Sequence, residues 1–119
     1  MLVLKAKNKK QKEWQKKYPS GKAFLSWTLE DYQIWQIDPP SCLINNPNLT
    51  EGEQLTEKEI EDWIINSIQA LKILKETEKK IFDIIYKDFI LDIEYLIKIK
   101  RIDKDILDFV LDKSNFDFY

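Results

Sequence analysis

The sequence predicts an α+β fold that is mainly helical, in which a short N-terminal strand and a hairpin precede a bundle of three to four helices. Apolar residues recur at helical spacing through residues 55–119, whereas strand-forming aromatic residues dominate residues 23–37. A chain of 119 residues is long enough to bury the core of one domain without disulfides or metal ions. We therefore expect a basic arm over residues 1–22 and a single compact domain over residues 23–119.

The N-terminal arm begins with alternating residues and then loses its apolar positions. Leu2, Leu4 and Ala6 share one side of an extended chain, which favours a short strand. From residue 7 to residue 17 Trp14 is the only apolar residue, so a helix there would be solvated on nearly every side. We expect an arm that becomes ordered when it meets a partner.

Residues 23–54 comprise an aromatic segment followed by a turn-rich segment. Strand-forming residues lie on both sides of residues 29–31, which predicts a hairpin. Thr28 and Asp31 also form a loose capping box, so a helix from Thr28 to Ile37 is the competing prediction. The Asn- and Pro-rich stretch that follows predicts an irregular loop.

Residues 55–119 are predicted to be helical. Thr56 and Glu59 form a capping box at the start of a helix whose apolar residues recur at helical spacing. A break is expected near residues 75–78, followed by two helical stretches. The last helix is expected to begin at Asp103, a good N-cap residue.

The net charge of −2 conceals a strong asymmetry. Residues 1–22 hold eight lysines and one glutamate, a net charge of +7, whereas the remaining 11 basic and 20 acidic residues give −9. A basic arm on an acidic body is typical of contact with a nucleic acid, an acidic membrane surface or an acidic protein. The alternative is that the arm pairs with the protein's own acidic face. Lysines interleaved with aromatic rings are typical of sequence-tolerant binding to phosphates and bases. The candidate residues are Lys7, Lys9, Lys10, Lys12, Trp14, Lys16, Lys17, Tyr18 and Lys22.

The chain has no histidine and one cysteine, Cys42. These counts exclude Ser-His-Asp and Cys-His catalysis and the usual Cys and His zinc sites. We therefore expect no catalytic residues, no cofactor and no metal. The sequence shows neither the pattern of a secretory signal nor an apolar stretch long enough for a membrane span. A lone cysteine agrees with a reducing compartment. We therefore expect a cytoplasmic protein.

Residues 77–113 predict a three-helix unit with a helix-turn-helix near its end. If Arg101 takes the turn position usually given to glycine, four residues fall where the motif has apolar side chains. These residues are Leu96, Ile102, Leu107 and Val110. The unit resembles the last DNA-binding region of bacterial sigma factors, which implies a nucleic-acid-binding regulator. Ile97 departs from this pattern because it stands where a small residue should be.

The last helix carries carboxylates where a recognition helix would face DNA phosphates. Asp105, Asp108 and Asp112 are expected on its outer face, opposite the apolar stripe, where they would repel DNA. Such a face could instead contact a basic partner, as a phosphate mimic would. The same three carboxylates are the basis of a further alternative, a carboxylate-only metal-dependent enzyme.

These observations predict a non-enzymatic interaction protein. We expect a small subunit, adaptor or inhibitor of a larger nucleoprotein complex, with a protein partner and with nucleic acid contacted through the arm. The alternatives are a free-standing nucleic-acid-binding regulator with a degenerate helix-turn-helix, and the carboxylate-only enzyme. No contact with a membrane is expected.

Overall fold

The computed structural model describes residues 4–117, and within them the chain is helical without any β-strand. Two 3₁₀ turns cover Phe24–Ser26 and Lys113–Phe116. The α-helices are α1 (Lys9–Lys17), α2 (Leu29–Ile34), α3 (Ser41–Asn45), α4 (Glu51–Gln54), α5 (Glu57–Thr77), α6 (Lys79–Lys98) and α7 (Asp105–Leu111).

The predicted α+β fold is therefore wrong, and the predicted hairpin over residues 23–37 is a 3₁₀ turn followed by α2. The competing helix prediction is confirmed at its start, because the hydroxyl of Thr28 accepts a hydrogen bond from the backbone N–H of Asp31 and the Asp31 carboxylate accepts one from the N–H of Thr28. The helix ends at Ile34, earlier than predicted, since Gln36 adopts a φ of 55°.

Packing of the aromatic residues explains why the strand prediction fails. One cluster contains Trp27, which follows the 3₁₀ turn, Tyr32 of α2 and Trp35, which follows α2. Trp14 of α1 and Leu43 of α3 complete it. Strand propensity is weaker than such tertiary packing. This aromatic cluster is the core of the N-terminal half.

The predicted N-terminal strand and the predicted loop also differ from the structure. Leu2 and Val3 lie outside the described residues, and Leu4 and Ala6 pack against the aromatic cluster without forming a strand. The segment predicted as an irregular loop contains α3 and α4. The capping box of Thr50 and Glu53 starts α4 and is the local signal for this helix.

Helices α5 and α6 form an antiparallel hairpin joined by Glu78. The predicted capping box of Thr56 and Glu59 is confirmed at the start of α5. The ring of Trp63 lies 5.3 Å from that of Phe89, while near the other end of α5 Leu71 packs in one core with Phe82. The two helical stretches predicted after the break are a single helix, α6. No helix of the described residues is long and apolar enough to cross a membrane.

A small cluster joins the aromatic half to the helical hairpin. Leu25, Ile60 and Leu96 are buried together, and the Asp92 carboxylate of α6 accepts a hydrogen bond of 3.1 Å from the backbone N–H of Leu25. The Asp92 carboxylate thus binds the first 3₁₀ turn to α6, and so to the helical hairpin.

Helix α6 ends in a Schellman motif that uses lysine where glycine is usual. The N–H of Arg101 donates to the carbonyl of Leu96 and that of Lys100 to the carbonyl of Ile97, and Lys100 has a φ of 62°. The turn position predicted for Arg101 is therefore taken by Lys100. The Arg101 guanidinium instead donates to backbone carbonyls at the end of α4, including that of Glu53 at 2.9 Å.

Replacing Lys100 by glycine should stabilise the protein by up to about 1 kcal/mol, because glycine adopts this left-handed conformation without a Cβ penalty. Lys100 is exposed, so its side chain contributes no burial. The free energy of unfolding in urea measures the effect. The matched control Lys87→Gly, at an exposed position in the middle of α6, should destabilise by about 1 kcal/mol. A Lys100→Gly protein as unstable as this control would contradict the assignment.

Candidate functional site

Five lysines project from the exposed side of α1, and we call them the lysine face. They are Lys9, Lys10, Lys12, Lys16 and Lys17. The first turn of α1 contains no acidic residue, although the positive end of a helix dipole favours carboxylates there. The helix dipole therefore adds to the positive potential of the first-turn lysines.

The opposite side of α1 is fixed to the protein body. Gln11 and Trp14 are each only 5% exposed. The Gln11 amide donates to the carbonyl of Ile34 at 2.9 Å, and the Gln15 amide donates to the carbonyl of Leu4 at 2.7 Å. The side-chain oxygen of Asn8 caps the helix by accepting from the N–H of Gln11. Helix α1 is thus folded and docked with its lysines outward.

Asp31 is the central residue of this attachment. Its carboxylate accepts hydrogen bonds from the Trp14 indole at 2.8 Å, the Lys22 ammonium at 2.6 Å and the Thr28 backbone N–H at 2.8 Å. Burial alone would raise the pKa of Asp31, but the Lys22 ion pair and the hydrogen bonds from Thr28 and Trp14 outweigh it and hold the pKa below its usual value. Asp31 with these three partners is called the Asp31 cluster below.

The structure separates the predicted anion-binding residues into two groups. Trp14 and Lys22 belong to the Asp31 cluster, so the Trp14 ring has no open face for a base. Lys7 and the lysine face are exposed, and none of them forms an ion pair with a carboxylate of residues 4–117. The alternative prediction is that the arm pairs with the protein's own acidic residues. Among these lysines, Lys22 is the one that forms such an ion pair.

Tyr18 lies between two surface grooves at the end of α1. The larger groove, of about 630 Å³, runs between α1 and α2. Its charged lining residues are three lysines and three carboxylates: Lys10, Lys17, Lys22, Glu13, Glu30 and Asp31. The smaller groove, of about 380 Å³, lies between α1, residues 19–21 and α6, where it includes Lys87 and Asp88. Tyr18 lines both grooves.

The predicted acidic face is split by the end of α7. Asp105 and Asp108 are exposed on the outer side of α7. Asp112 follows the helix, where its carboxylate accepts from the side chain and backbone of Ser114, and these hydrogen bonds lower its pKa. Two apolar side chains flank these carboxylates, Phe109 at 49% exposed and Leu111 at 52% exposed.

Sequence reasoning missed the residues that orient the site. The Thr28–Asp31 capping box was a visible signal for α2, but the contacts from Asp31 to Trp14 and Lys22 span 17 and 9 residues and leave no local pattern. Nor did any pattern point to Gln11. Across residues 4–117, no group of three or more His, Cys, Asp or Glu side chains could hold a metal ion. Cys42 is a free, half-buried thiol.

The fold and the site together define an all-helical protein in which hydrogen bonds from Gln11 and Trp14 fix a lysine-rich helix, α1, to the body. No protein-family model matches the chain, and neither a curated protein nor a solved structure shows significant similarity to it.

Proposed function

We propose that this chain is a non-enzymatic binding protein that contacts nucleic-acid phosphates through the lysine face of α1 and serves as a small subunit or adaptor of a nucleoprotein complex. One observation carries the proposal. Five lysines are held outward on a docked helix around a single carboxylate, Glu13, and none of them forms an ion pair within residues 4–117.

The physical argument rests on preorganisation and counterion release. Because Gln11 and Trp14 already fix α1, binding does not have to order the helix that carries the charges. Each lysine that neutralises a phosphate releases condensed counterions, which favours association at low salt. Lysine is a point charge without the planar fork of arginine, so this face favours backbone contact over base reading.

The adaptor part of the proposal is supported by the second surface. Asp105 and Asp108 are exposed, and Phe109 and Leu111 add apolar area beside them. A protein surface that combines basic and apolar side chains is complementary to such an arrangement. Its carboxylates also repel nucleic acid, so we propose α7 as a contact for a protein rather than a recognition helix.

A salt titration tests nucleic-acid binding. We expect the intact chain to bind a generic DNA or RNA with an affinity that falls steeply with salt. The variant Lys9→Gln/Lys12→Gln/Lys16→Gln should flatten the slope of log K against log salt by about 2–3, since each phosphate contact contributes roughly 0.7–0.9. Fluorescence anisotropy of a labelled oligonucleotide measures both quantities.

The control variant removes the same charge elsewhere. Lys58→Gln/Lys79→Gln/Lys98→Gln changes three exposed lysines of α5 and α6 and should leave the slope close to that of the parent protein. Equal losses in both triple variants, or no binding by the intact chain at low salt, would overturn the proposal. If Lys104→Gln/Lys113→Gln alone removed binding, the helix-turn-helix alternative would replace it.

A further inference from the structure

We infer that the nucleic acid held at the lysine face is single-stranded, with one base stacked on Tyr18 and the strand following the two grooves that meet at this ring. The inference rests on the proposed function and specifies its ligand.

Tyr18 is supported from one side and accessible from the grooves. Its N–H donates to the carbonyl of Trp14 at 3.0 Å, which ends α1, and its ring centroid lies 5.0 Å from that of Trp14 at an interplanar angle of 51°. Trp14 is itself fixed by Asp31. Tyr18 is half-buried and lines both grooves, so it combines a fixed position with an edge that the grooves reach.

Two ammonium groups flank the Tyr18 ring. Gly21 has a φ of 89°, and its N–H donates to the Tyr18 carbonyl, so the chain turns back towards α1. This turn brings the Lys22 ammonium to 5.0 Å from the Tyr18 ring centroid, while the Lys17 ammonium lies 5.5 Å from it. A base stacked on Tyr18 would take the place of an ammonium group over the ring. Its adjoining phosphate would then lie next to Lys17, because Lys22 is already paired with Asp31.

The recessed position of the ring favours a single strand over a duplex. Tyr18 lies between α1 and residues 19–21, at the junction of grooves of about 630 and 380 Å³. In a duplex the faces of the bases are covered by their neighbours, so only an unstacked base can reach a recessed ring. An aromatic platform next to ammonium groups that lack a carboxylate partner is an arrangement with which proteins bind single strands irrespective of sequence. Tyr18 and Lys17, next to the rest of the lysine face, provide it.

The test compares Tyr18→Leu with the parent protein on 20-nucleotide oligo-dT, oligo-U and a DNA duplex of the same length, at one salt concentration. We expect the parent protein to bind one or both single strands more tightly than the duplex. Tyr18→Leu should weaken single-strand binding about 5- to 150-fold, the range for loss of one base-aromatic stack, and change duplex binding less than twofold. Tyr18→Phe should retain single-strand binding because the ring remains.

The control Phe24→Leu removes a ring from the same aromatic cluster but outside both grooves, and it should bind single strands like the parent protein. Equal binding of duplex and single strands, with Tyr18→Leu unchanged, would overturn the inference and leave the proposed function standing. Equally tight binding of polyglutamate would also overturn it. Absence of binding to every polyanion at low salt would overturn the proposed function itself.

Discussion

Replacing Asp31 by alanine is expected to lower the free energy of unfolding by about 3–4 kcal/mol, because the change breaks a largely buried ion pair and removes a helix cap. Lys22 would lose its ion-pair partner, the Trp14 indole N–H would lose its acceptor, and the capping box with Thr28 would disappear. An unpaired group of this kind costs its full desolvation free energy. Unfolding in urea, followed by circular dichroism, measures the loss.

The control for Asp31→Ala is Glu30→Ala, since Glu30 is the exposed preceding residue of α2. A change within about 0.5 kcal/mol is expected there. If the two variants were equally stable, the Asp31 cluster would not be what holds α1 in place. The Asp31→Ala protein should also lose hydrogen-exchange protection in α1 before α5 and α6, because the lost contacts are those of α1 and α2.

Part of this architecture could be predicted from the sequence because its signals are local. The Thr56–Glu59 capping box marks the start of α5, and Thr28–Asp31 marks that of α2, since each box satisfies backbone groups within four residues. The ends of α2 and α6 were not predictable in the same way. Both use a non-glycine residue in the left-handed conformation, Gln36 and Lys100, so the usual glycine signal is missing.

The candidate site shows the same division between local and long-range determinants. The charge of the N-terminal arm could be counted directly from the sequence. Docking of that arm could not, because it depends on Trp14 meeting Asp31, 17 residues away, and on Gln11 meeting Ile34, 23 residues away. A helix with few apolar residues was therefore expected to be solvated, yet two buried residues with specific hydrogen-bond acceptors attach it.

Asp92 is expected to make the protein less stable as the pH rises from about 4 to about 6. Burial raises the pKa of this carboxyl, which is 8% exposed, from 3.8 to about 6, and the hydrogen bond from Leu25 offsets only part of that effect. In this range the folded protein binds more protons than the unfolded chain, so the free energy of unfolding falls with rising pH. The full difference corresponds to about 3 kcal/mol.

The comparison of Asp92→Asn with the parent protein isolates this contribution. The pKa of Asp31 is lowered and burial raises that of Glu51, so the parent curve is a sum of opposing effects. The effect of Asp31 cancels in the difference between the two proteins, whereas Glu51 enters that difference through its charge, which raises the pKa of Asp92. Asparagine retains an oxygen that can accept from Leu25 without ionising. The stability of Asp92→Asn relative to the parent should therefore rise by up to about 3 kcal/mol between pH 4 and pH 7, with most of the rise below pH 6.

Asp83→Asn is the matched control for Asp92→Asn, because Asp83 is an exposed carboxylate on the same helix. The free energy of unfolding of Asp83→Asn should depend on pH as that of the parent protein does. If the curve of Asp92→Asn were also parallel to that of the parent, the buried carboxylate would not destabilise the protein at neutral pH. Since Asp92 binds the first 3₁₀ turn to α6, the expected penalty acts at the junction between the helical hairpin and the half that carries the lysine face. We therefore expect ionised Asp92 to weaken this junction, so that the N-terminal half opens more easily at pH 7 than at pH 4. Hydrogen exchange of α1 and α2 in the parent protein and in Asp92→Asn would measure this difference.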